Sequence, residues 1–98
     1  MNRPELGALL KEIAPPEDTA TFPKLALDMI DGWIARGDKC AVYKNMEIGH
    51  PEAGHVKFVS YGSKDAQLEV AEPPKTLPDI GGDINWRYQL VDTYTGEG

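Results

Sequence analysis

The chain has 98 residues, ten basic and sixteen acidic side chains, a formal net charge of −6 and one cysteine. That length fits one domain, residues 1–98, and a lone cysteine excludes an intrachain disulfide or a multi-cysteine zinc site. The acidic balance counts against generic binding to nucleic acid or to an anionic membrane surface.

Residues 4–13 read as a short helix. Leu6, Leu9, Leu10 and Ile13 recur at i, i+3, i+4 and i+7 and form one apolar stripe. Asn2 suits the N-cap and Pro4 the first turn, and Pro15-Pro16 stops the helix. A second helix is expected over residues 23–36, with Thr21 as N-cap and Gly37 as the left-handed C′ residue. Its expected buried stripe is Phe22, Leu25, Met29 and Trp33, widened by Ile30 and Ile34.

After Gly37 the period changes from 3.6 to 2. Strands are expected over 40–46, 55–61, 66–70 and 85–94. In the first, Cys40 and Val42 share one face and Ala41 and Tyr43 the other. In the second, Val56 and Phe58 point inward, and His55, Lys57 and Tyr61 outward. Ala66, Leu68 and Val70 are expected inward in the third, and Trp86, Tyr88 and Leu90 share a face of the fourth. The predicted fold class is α+β: two N-terminal helices packed on one face of a three- to four-stranded, mostly antiparallel sheet, the other face largely solvated. Glu72–Ile84 is a long connection expected to lack structure of its own, and the tail 95–98 is expected to fray.

The segment Asn45–His55 concentrates the unusual residues. It holds both histidines, His50 and His55, with Glu47, Glu52, Pro51, Gly49 and Gly54, between two strands. Loops on a rigid sheet commonly carry recognition, so Asn45, Glu47, Ile48, His50, Glu52 and His55 are the first candidate contacts for a partner. Asp79 and Asp83, in the acidic Glu72–Ile84 connection, are the second set. His50 and His55 also raise an alternative, a small ligand- or metal-binding protein, although further ligands are unassigned. A second alternative is an acidic mimic of nucleic acid that occupies a basic enzyme site. Cys40 with His55 and Asn45 has the residue types of a thiol triad, but a cysteine opening an apolar strand reads as a small core residue. Tyr43, Tyr61, Tyr88 and Tyr94 read as packing rather than as a stacking platform, since no basic groove accompanies them.

Phosphate-cradling glycine motifs, a nucleophile elbow and an EF-hand loop are absent, and no cofactor is expected. No run has the apolar length of a signal-peptide core or a membrane span, so a soluble cytoplasmic protein is expected. The leading expectation is a non-enzymatic protein-interaction module, an accessory or inhibitory protein of bacterial or phage type. A homodimer through an exposed edge at Val91–Tyr94 is the further partner expectation.

Overall fold

A computed structural model of the protein describes residues 1–78 and 84–96. Helix α1 (Arg3–Ile13), a 3-10 turn (Pro16–Asp18) and helix α2 (Phe22–Ala35) precede strands β1 (Lys39–Asn45), β2 (Val56–Tyr61), β3 (Thr76–Pro78) and β4 (Ile84–Tyr94). The strands form one antiparallel sheet in the order β2-β1-β4-β3. The fold is α+β, with two N-terminal helices and a four-stranded sheet, as expected.

Local chemistry accounts for the helix ends. The Asn2 side chain accepts from the Glu5 amide at 2.9 Å, and the Glu5 carboxylate accepts from the Asn2 amide at 3.0 Å. This capping box satisfies two donors that the first turn leaves orphaned. Thr21 occupies the N-cap position of α2, but its side chain makes no capping bond. At the other end Gly37 takes φ +98°, its N–H donates to Ile34 O at 3.0 Å, and the Asp38 N–H donates to Trp33 O at 2.9 Å. That pair of bonds is a Schellman motif, which needs a left-handed residue at position 37.

The buried face of α2 is not the stripe expected. Ala26 and Ile30 are buried, with Phe22, Trp33 and Ile34 packed against the same cluster, whereas Leu25 is 61% exposed and Met29 46%. Apolar residues surround more than half of this helix, so periodicity alone does not select the face. The helices cover one side of the sheet. Leu6, Leu10, Ala26 and Ile30 pack on Cys40, Val42 and Tyr94, and Val56 and Phe58 join them.

The opposite side is also buried, contrary to expectation. Ala41, Tyr43, Val59, Tyr61, Leu77 and Tyr88 form a second cluster, with Leu68 and Leu90 against it. Tyr61, expected outward into solvent, is part of this core. Because β2 and β3 lie at opposite edges, the connection 62–75 must cross a face of the sheet. The Tyr43 hydroxyl donates to Pro74 O at 2.7 Å, which places the crossing strap over this second face. Residues 66–70 are not a ladder strand; only Leu68 forms a single parallel bridge, with Tyr61. The third strand lies instead at Thr76–Pro78, inside the connection expected to be irregular.

Leu90 and Tyr88 share a face as expected; the side chain of Trp86 is outside the described set. A bulge at Val91 shifts the β1–β4 register, so Val42 pairs with Asp92 and Tyr43 with Leu90. The end of β4 covers Val91–Tyr94, the stretch expected as an edge. That stretch pairs with β1, and on its outer side the Met1 ammonium donates to Thr93 O at 2.6 Å and Asp92 Oδ1 at 3.0 Å. At the start of the tail Gly96, at φ +87°, lies so close to Ile34 that an added Cβ would sit 2.7 Å from its Cγ2. Glu97 and Gly98 are outside the described residues. No helix among the described residues is long and apolar enough to cross a membrane.

Candidate functional site

The Asn45–His55 segment is a ladder of tight turns closed at its base by backbone pairing. The Asn45 N–H donates to His55 O, and the Gly54 N–H donates to Asn45 O, both at 2.9 Å. Three turns follow: His50 N–H to Glu47 O at 3.4 Å, Ala53 N–H to His50 O at 2.9 Å, and His55 N–H to Glu52 O at 3.0 Å. Gly49 and Gly54 stand third in the first and last of these turns, at φ +85° and +84°. Position i+2 of a type II turn requires that left-handed φ, which explains the glycines.

The side chains divide into those that build the loop and those that it presents. Asn45 is only 2% exposed, and its Oδ1 accepts from the Glu47 N–H at 3.0 Å. The sequence pattern points to Asn45 as a partner contact, but its side chain organises the turn from beneath. Its Nδ2 is buried without a hydrogen-bond partner among the described residues. Glu47 is likewise engaged: the Arg87 guanidinium on β4 donates to its carboxylate. His50 is half-buried, and its Nδ1 accepts from the Glu52 N–H at 3.1 Å, so this imidazole caps a turn. Ile48, by contrast, is 99% exposed, and Met46, Glu52 and His55 are exposed beside it. The most presented residue is thus the isoleucine, not a histidine. Asp79 and Asp83, the second set of candidates, lie outside the described residues.

No group of three His, Cys, Asp or Glu side chains with metal-holding geometry occurs among the described residues. Cys40 pairs with Ser60, and Asn45 lies five residues further along β1, beside His55. At ~3.3 Å per strand residue, His55 is roughly 17 Å from the thiol. Burial pushes the Cys40 thiol up to about 12, which disfavours the nucleophilic thiolate. The three residues do not form a triad. The tyrosines do not form a platform either: Tyr94 is in the core under the helices, and Tyr43, Tyr61 and Tyr88 are under the strap. Lys57 lies 4.5 Å from the centroid of the Tyr88 ring, a cation–π contact on the strap side.

Sequence reasoning missed a groove beside this loop. It has a volume of about 490 Å³ and lies where the end of α1 and the start of α2 face the chain entering β2. Ile13, Pro15, Phe22 and Val56 supply apolar walls, and Glu12 and His55 also line it. Only the double proline hinted at it, since a sharp break between helices leaves a gap that neither fills. No family model, characterised protein or solved structure matches this chain.

Proposed function

We propose that the protein is a small, acidic, non-enzymatic interaction module that binds another protein through the Asn45–His55 loop. The observation that carries this reading is Ile48, an isoleucine 99% exposed at the tip of a loop tied down by turns, a buried asparagine and an ion pair to β4. A large apolar side chain held out on a stiff frame gains from burial against a partner and loses little conformational freedom on binding. Met46, Glu52 and His55 supply the surrounding contacts, mixed apolar and polar as at the rim of an interface.

Changing Met46, Ile48 and Glu52 together to alanine is expected to release a co-purifying cellular protein while leaving the melting temperature nearly unchanged. Retention of that protein by the triple variant, judged by pull-down and mass spectrometry, would sink the assignment of the loop.

A further inference from the structure

We propose that the open edge of β2 accepts an extended peptide as an added strand, whose alternate side chains enter the groove beside the loop. This rests on the interaction-module reading and specifies how a partner is held.

The backbone of β2 carries the argument. The Leu68 N–H donates to Ser60 O at 3.1 Å and the Gly62 N–H donates to Leu68 O at 3.0 Å, so the polar groups of residues 60 and 62 face away from β1. His55 O, engaged by the Asn45 N–H, faces towards β1. Strand alternation then puts the N–H and C=O of Val56 and Phe58 on the outer side with those of Ser60. β2 is one of the two edge strands, and among the described residues nothing pairs with those four groups. The strap closes the edge only from Ser60 onward.

A row of alternating donors and acceptors at strand spacing matches another extended backbone, and neither a helix nor a small ligand presents that pattern. Side chains of an added strand alternate between the two faces of the sheet. Those on the helix side meet Val56, Ile13, Phe22 and Pro15 in the groove. Glu12 lines the same groove, and the chain as a whole carries −6, so the fitting segment is apolar at alternate positions and bears a basic residue. A second copy of this chain fits less well, because it would bring a second acidic surface and a second Glu12 to the same place. The open stretch is short, so the affinity expected of the edge alone is modest, and the loop supplies the rest.

The probe is a short capped peptide with lysine at each end and alternating valine and threonine between, compared with the same peptide N-methylated at alternate amides. Amide NMR titration of the whole chain is expected to move the Val56 and Phe58 signals with the first peptide and not with the second. Val56→Pro removes one outward N–H without touching the bonds to β1, and it should weaken binding about tenfold. Glu12→Gln should weaken it several-fold at low salt and little at high salt. Should Val56→Pro fail to fold, the N-methylated peptide on the unaltered protein decides. Equal binding of both peptides, or no movement of Val56 and Phe58 at millimolar peptide, overturns the proposal. So does movement of those amides with protein concentration alone, which would make the occupant a second copy. If the peptide leaves the edge unmoved but the triple loop variant still releases its partner, the edge inference fails and the loop reading stands. If the peptide pairs at Val56 and Phe58 while the triple variant keeps its partner, the loop assignment fails and the edge stands.

Discussion

The two ends of β1 are held in different ways. At the Lys39 end the residues on either side of the exposed Lys39 are tied inward. The preceding Asp38 is buried, its carboxylate accepts from Arg36 Nε at 2.7 Å and from the Ser63 hydroxyl, and Cys40 beside it is sealed under the helices. At the Asn45 end the interior contribution is one buried amide side chain, and the turns above it hold Ile48, Glu52 and His55 in solvent. One strand thus serves as an anchor at one end and a mount at the other. Removing contacts at the first end should lower stability, and truncating the presented side chains at the second should alter binding alone.

The largest expected effect is at the anchored end. Ile30→Ala empties a fully buried site beside Cys40 and should lower the unfolding free energy by about 2–5 kcal/mol in urea titrations. Leu25→Ala, on the exposed side of the same helix, should change it by less than about 0.5 kcal/mol. Equal effects would mean that the helix presents a different face to the sheet.

Next comes Gly96→Ala, which adds a Cβ against Ile34 at a positive φ and should cost about 1–3 kcal/mol. An unchanged midpoint would show that the end of β4 is not packed on α2.

The Tyr43→Phe change should be smaller, about 1 kcal/mol, since it removes the hydroxyl that holds the strap at Pro74. Faster hydrogen exchange confined to residues 68–75 would mark the loosened strap, and uniform exchange across the sheet would argue against a separate strap.

The smallest effect is a pH dependence. The Ser63 hydroxyl and the Arg36 guanidinium hold the Asp38 carboxyl below its usual range, against the upward push of burial. A carboxyl lowered in the folded state stabilises the protein above the unfolded carboxyl range, about pH 4, and that contribution fades as pH falls through the folded value. Asp38→Asn should therefore lower the melting temperature at neutral pH, with a difference from the unaltered protein that shrinks in acid. A difference independent of pH would sink the role given to the charge.

The parts of the fold legible in the sequence were those governed by neighbours along the chain. The N-cap at Asn2, the stop at Pro15-Pro16 and the left-handed glycine at 37 all act within a few residues. The turn glycines 49 and 54 belong to the same class. The strand expected at 66–70 failed because alternation describes a segment that packs on one side, and a strap lying on a sheet does so too. Leu68 packs on the second cluster without a ladder. The strand at Thr76–Pro78 was hidden by proline, which an edge strand tolerates.

Within the candidate site, the position and turn chemistry of the loop were legible, but the roles of its side chains were not. Asn45, Glu47 and His50 carry polar groups suited to a partner, yet the structure turns them onto its own backbone and onto Arg87. Which donor meets which acceptor depends on strands distant in sequence, so no local pattern reports it. The groove and the open edge of β2 were invisible for the same reason. A strand is an edge only by the absence of a neighbour, and the strand order is decided elsewhere in the chain.

By itself, then, the sequence determined where this chain turns, caps and alternates, because those choices are settled by backbone sterics and bonds a few residues long. Tertiary structure decided which face of α2 is buried, that a strap seals the second face, and that Ile48 and the β2 edge remain open. Those outcomes follow from competition among distant segments for the same apolar surface and the same backbone partners.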